Sequence, residues 1–129
     1  MTRLEIIQRR DIYTFFPQFP EELEVYALHS NPIFAGILDH ITPFCVVGVV
    51  PQHDSGTCAL WGWNTPLVAK HPYIYARWSR RLITRVHTLY PRIVGECSHA
   101  KMSWLAFLGA TFGPPTSDMI PFTIEAHND

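Results

Sequence analysis

The sequence predicts an α+β fold in three layers, a mixed and mostly antiparallel sheet flanked by helices, and three observations lead there. Two apolar runs rich in β-branched and aromatic residues, Pro43 to Val50 and Thr57 to Asn64, flank the turn cluster Gln52-His53-Asp54-Ser55-Gly56 and read as an antiparallel hairpin. Pro72 to Leu89 reads as the longest helix, with Tyr75, Trp78, Leu82, Val86 and Leu89 on its inner face and arginines outside. From Tyr90 onward the strand pattern Arg92-Ile93-Val94-Gly95-Glu96-Cys97 runs into a second helix and then into two further apolar runs.

Taken in order, Leu4 to Gln8 alternates weakly and is expected to be a first strand. Asp11 then looks like a helix cap before Ile12, Tyr13, Phe15 and Phe16, until Pro17 and Pro20 break the element. Pro20 to His29 restarts as a helix, with Glu21, Glu22 and Glu24 at its positive end and Ser30 and Asn31 ending it. Asn31-Pro32 reads as a second cap with proline at the first helical position, opening a short helical turn through Phe34, Ile37 and Leu38. Thr65-Pro66 closes the hairpin. In the C-terminal part Ser98 can cap a buried helix over Ala100 to Leu108, and Gly109 supplies the left-handed residue that ends it. Thr111 to Gly113 and Ile120 to His127 are the closing strands, separated by Pro114-Pro115-Thr116-Ser117-Asp118.

A chain of 129 residues is expected to form one domain over residues 1–129, long enough to bury a core. Its 47% hydrophobic and 16% charged content excludes a disordered chain. The formal charge of −1 supplies no global attraction to nucleic acid or an anionic membrane. No run approaches the roughly 18 apolar residues of a membrane helix, and Met1-Thr2-Arg3-Leu4-Glu5 lacks the core of a secretory signal, so a cytosolic location is expected. Cys45, Cys58 and Cys97, an odd number set among apolar neighbours, read as buried free thiols.

The order strand, short helices, hairpin, long helix, strand, helix and final strand pair resembles that of a GNAT acyltransferase domain over almost the whole chain. The C-terminal part resembles more narrowly the small GNAT-like internal virion (core) proteins of short-tailed, coliphage-type bacteriophages. The residues that carry this are Leu89-Tyr90-Pro91, Ser98-His99, Trp104-Leu105 with Phe107-Leu108-Gly109-Ala110-Thr111-Phe112, and Pro121-Phe122-Thr123-Ile124.

For a working enzyme of that family, the resemblance implies a glycine-rich turn before the long helix whose amides wrap the coenzyme A pyrophosphate. The matching stretch here, Thr65 to Pro72, has no glycine and two prolines, and its only charge is Lys70, followed by His71 and Pro72. The resemblance also implies a tyrosine acid for the departing thiolate four residues before the glycine that ends the later helix, which is Leu105 here, and an opening asparagine that is Ser98 here. No catalytic residue is assigned, and loss of acetyltransferase activity is expected.

Four further groups need weighing. Arg77, Arg80, Arg81 and Arg85 share one side of the long helix; they are an anion or partner contact on one reading and a solvated face, the preferred expectation, on the other. Trp61, Trp63, Trp78 and Trp104 surround the centre of the sheet, where they are expected to fill the gap that admits an acyl-thioester in an active relative, the alternative being a ligand pocket. Seven histidines show no pair at metal-binding spacing, so no metal is expected. His87 and Glu96 can meet in space, but Cys97 beside them is as well explained by the core.

The reading that results is a noncatalytic GNAT-like bacteriophage protein, located in the virion or the host cytoplasm. It acts in virion assembly, or as an internal or portal-proximal component, through contacts with phage structural proteins or with further copies of itself, and needs no cofactor, nucleic acid or membrane. The alternative is a divergent acetyl-CoA-dependent N-acetyltransferase that modifies a host or phage amine, with Lys70 and the start of the long helix at the phosphates. A nucleic-acid-associated role for the arginine face is a third, weaker reading.

Overall fold

The structure, a computed structural model, describes residues 2–126. Seven strands form one sheet, β1 (Thr2–Ile7), β2 (Ile33–Leu38), β3 (Thr42–Pro51), β4 (Thr57–Asn64), β5 (Arg92–Cys97), β6 (Ala110–Phe112) and β7 (Ile120–Glu125), in the order β1-β2-β3-β4-β5-β7-β6. Every neighbouring pair is antiparallel except β4 and β5, because the connection between those two crosses over through helix α4 (Pro72–His87). The expected hairpin is β3 and β4, paired from Cys45–Asn64 to Pro51–Cys58.

One sequence expectation fails at Asn31-Pro32. The peptide is cis, and the chain continues from it as strand β2, buried at all six positions between β1 and β3. A strand covered on both faces loses the alternation that marks a half-exposed one, so Ile33-Phe34-Ala35-Gly36-Ile37-Leu38 carries no period-2 signal, and its spacing imitates a helix. Asn31 N donating to Val49 O and Val49 N donating to Pro32 O extend the ladder with β3 into the proline turn.

Two cores lie on either side of the sheet. Short helices α1 (Ile12–Phe15) and α2 (Glu24–Leu28), each preceded by a 3-10 turn, cover one face and bury Ile12, Phe16, Phe19 and Ala27 against Ile7, Ile33, Ile37 and Val46. Asp11 is itself helical, as the last residue of a 3-10 turn, and makes no side-chain capping bond. On the other face α4 buries Trp78, Ser79, Leu82, Ile83 and Val86. Leu89 lies beyond the helix end and is exposed, so it is not part of that face.

The single turn α3 (Leu67–Lys70) precedes α4, and α5 (Met102–Phe107) follows a 3-10 turn at His99–Lys101. Ser98 gives no side-chain cap, although its carbonyl accepts from Lys101 N, and α5 is not the buried helix expected: only Leu105 is buried, while Ala106 and Phe107 face out. Gly109 has φ +95° and ends the element as expected. His127 lies outside the described residues. No helix among the described residues is long and apolar enough to cross a membrane.

Candidate functional site

Parallel pairing between β4 and β5 lasts for three residues, Thr57–Ala59 against Arg92–Val94, and then the strands part. Between Leu60–Asn64 and Gly95–Cys97 opens a cleft of about 360 Å³, floored by α4 and flanked by α5 and β7. Alternation along β4 decides what faces it. Cys58 and Leu60 pack toward α4, whereas Trp61 and Trp63 pack into the α1/α2 core. Gly62 and Asn64 share the Leu60 side, and Gly62 contributes no side chain to fill the opening.

The expectation that four tryptophans plug this gap is therefore corrected. Trp61 rests on Phe19 and donates from Nε1 to Ser30 Oγ at 2.6 Å, and Trp63 meets Phe16 and Phe19 edge-on. Trp78 is fully buried and donates to Arg3 O at 3.2 Å. Trp104 and Trp78 both line the cleft, stacked on either side of Tyr75 at 5.6 Å and 13° and at 6.4 Å and 15°. Sequence spacing located all four near the sheet centre but could not say which face each ring takes.

Tyr75 is the polar group that sequence reasoning undervalued, having placed it only as a core-facing residue of the long helix. It is wedged between Trp104 and Trp78, with the Phe44 ring edge-on at 6.3 Å. Burial pushes its phenol up to about 12, nearby Cys45 adds to the rise, and the Asn64 and Ser79 side chains pull the other way. At neutral pH it is a protonated donor and a poor base. The position four before Gly109 is filled by Leu105, 5% exposed and part of the core, so α5 supplies no acid there.

The turn ahead of α4 is already occupied with its own bonds. Thr65 N donates to Phe44 O, Val68 N to Thr65 O, His71 N to Val68 O and Tyr75 N to His71 O, while Pro66 and Pro72 have no N–H to give. Leu67 and Val68 pack on the core, leaving Lys70 exposed at the end of a helical turn. A diphosphate site is built from several free amides converging on one point, and those of Thr65, Val68 and His71 are engaged in these internal bonds.

The other candidates are dispersed. Cys45 and Cys58 are buried free thiols; burial raises both, Cys58 to about 11, which keeps them unionised and poor nucleophiles. Cys97 is a buried free thiol as well. His87 Nε2 lies 3.2 Å from Ile124 O, and no group of three or more His, Cys, Asp or Glu among the described residues is arranged to hold a metal ion. The four arginines separate: Arg80, Arg81 and Arg85 line a groove beside β1, and Arg77 does not.

No protein-family model matches the chain, and no curated protein matches its sequence. Solved structures do match its fold. They include an IAA acetyltransferase from Bacillus cereus, with TM-score 0.70, 10% identity and coverage of 97% of this chain and 99% of that one. A Bacillus subtilis acetyltransferase in complex with CoA gives TM-score 0.74 at 9% identity, covering 98% and 100%. A chimeric spermidine N-acetyltransferase from Vibrio cholerae gives 0.72 at 11%, covering 96% and 95%. The chain thus has the fold of the GNAT acetyltransferases, with a seven-stranded, mostly antiparallel sheet between helices. At such identities the likeness extends to the fold alone.

Proposed function

We propose that this chain is a noncatalytic protein on the acetyltransferase scaffold, acting through contacts with other proteins. The observation that carries the reading is the turn at residues 65–72, where three amides are spent on internal bonds and two prolines offer none, so the residues present do not fit the pyrophosphate of coenzyme A. Apolar Leu105 at the acid position supports it independently. Placement in a bacteriophage particle, in assembly or as an internal or portal-proximal component, rests on the resemblance of residues 89–124 to internal virion proteins. Phage structural proteins are the partners this implies.

A thermal shift with coenzyme A and acetyl coenzyme A tests the chemistry. A ligand at about a thousandfold excess over its Kd stabilises a fold by about 4 kcal/mol, so an unchanged melting temperature at millimolar ligand is expected, and a clear rise overturns the reading. Enrichment of the protein in purified particles over infected-cell lysate tests the placement. A second reading, an acetyl-CoA-dependent N-acetyltransferase acting on an amine, is favoured by the cleft remaining open between β4 and β5 beside a protonated Tyr75. The same titration decides between the two.

A further inference from the structure

We propose that the groove between β1 and the C-terminal half of α4 is a binding site for a compact anion carrying clustered phosphate charges. Leu4, Arg80, Arg81, Thr84, Arg85 and Thr88 surround an open space of about 440 Å³ there, far from the start of α4. Three guanidinium groups are held in place without a carboxylate. Arg80 Cζ sits 4.2 Å from the centre of the Phe107 ring, Arg85 Cζ sits 6.0 Å from that of Phe34, and Arg81 Nη1 donates to Thr2 O at 3.3 Å. Among the described residues no ion pair engages any of them, the exposed pairs being Arg3–Glu5 and Arg92–Glu125.

Positioned charges without a counter-ion are costly to place together. Like charges four apart, as Arg77, Arg81 and Arg85 are, weaken a helix. The carbonyls at the end of α4 compensate Arg85 in the last turn, but the dipole effect does not reach back to Arg80 and Arg81. An anion bridging the groove relieves the repulsion, and the planar fork of arginine suits phosphate oxygens in particular. The chain's formal charge of −1 leaves no extended positive field for a long polyanion to follow, so the ligand is small, an oligophosphate or a multiply phosphorylated metabolite. Nothing in this site depends on the cleft or on the function proposed above.

Calorimetric titration of the full chain with tripolyphosphate at low salt tests it, circular dichroism confirming that each variant is folded. Saturation at roughly one ligand per chain is expected, about tenfold weaker in the double variant Arg81→Gln/Arg85→Gln and intermediate in Arg81→Lys, which keeps the charge but loses the fork. Arg77→Gln, on the same side of the helix but outside the groove, should stay within about threefold of the parent, because a bound anion is held by the groove and not by a diffuse field. No saturable heat, an equal loss in Arg77→Gln, or binding of single-stranded DNA without binding of tripolyphosphate overturns the proposal.

Discussion

At Gly36 the core on the α4 face presses directly on the backbone. A Cβ built there would lie 2.5 Å from the Phe44 ring, 2.7 Å from Cys45 Sγ and 2.9 Å from the Trp78 ring, none of which has room to retreat. Gly36→Ala is therefore expected to cost about 1–3 kcal/mol by overpacking, read as a lowered denaturation midpoint with an unchanged urea slope. Tyr75 makes a pH prediction. Its folded phenol is raised from 10.0 to about 12, so the folded state favours the neutral form. That contribution is fully present below pH 10 and is lost as pH rises toward 12, because the unfolded chain ionises first. Urea midpoints should fall across that window, less steeply in Tyr75→Phe; an identical slope would remove Tyr75 as the cause. Tyr13 is raised as well, chiefly by its bond to Glu24, but its side chain is exposed and solvent screening leaves it little weight in the slope.

Among the elements, α5 shows how much a short helix depends on its end. It has six residues and buries one, so packing does little to hold it, and its terminus falls to Gly109 at φ +95°. A Cβ at Gly109 meets nothing within 4 Å, which isolates the backbone term. Gly109→Ala should destabilise by about 1–2 kcal/mol, seen in thermal melts, through left-handed strain alone. The helices also mark how far capping signals can be trusted. Asp11 and Ser98 stand where caps belong, yet in both cases a 3-10 turn satisfies the amides locally and the side chain is left out. Strand β2 fails differently, since a segment covered on both faces carries no alternation to read.

For the molecule as a whole, the sheet and α4 enclose all three thiols in one core, with Cys45 and Cys58 wholly buried and Cys97, at 6% exposure, on the wall of the cleft. A disulfide-exchange reagent should leave the native protein almost unmodified and titrate three thiols in guanidinium, the native rate rising in Gly36→Ala as global opening becomes more frequent. Fast native reaction of even one thiol would contradict the burial described for it. The parting of β4 and β5 is also a property of this scale. It comes from a parallel contact only three residues long, and it leaves open a space that the composition of the strands, rich in tryptophan, gave every reason to expect filled.

Local chemistry was enough to read the β3/β4 hairpin, the long amphipathic helix, the strand entering α5 and the glycine that ends it. Each depends on neighbours a few positions apart, on turn residues or a 3.6-residue period. Partners distant in the chain decided the rest: that Ile33–Leu38 is a strand because β1 and β3 enclose it, that Trp61 and Trp63 turn away from the cleft while Trp104 and Tyr75 wall it, and that Arg80, Arg81 and Arg85 border β1 while Arg77 does not. Which face a side chain meets is set by the register of strands far apart in sequence, and that register exists only once the sheet has formed.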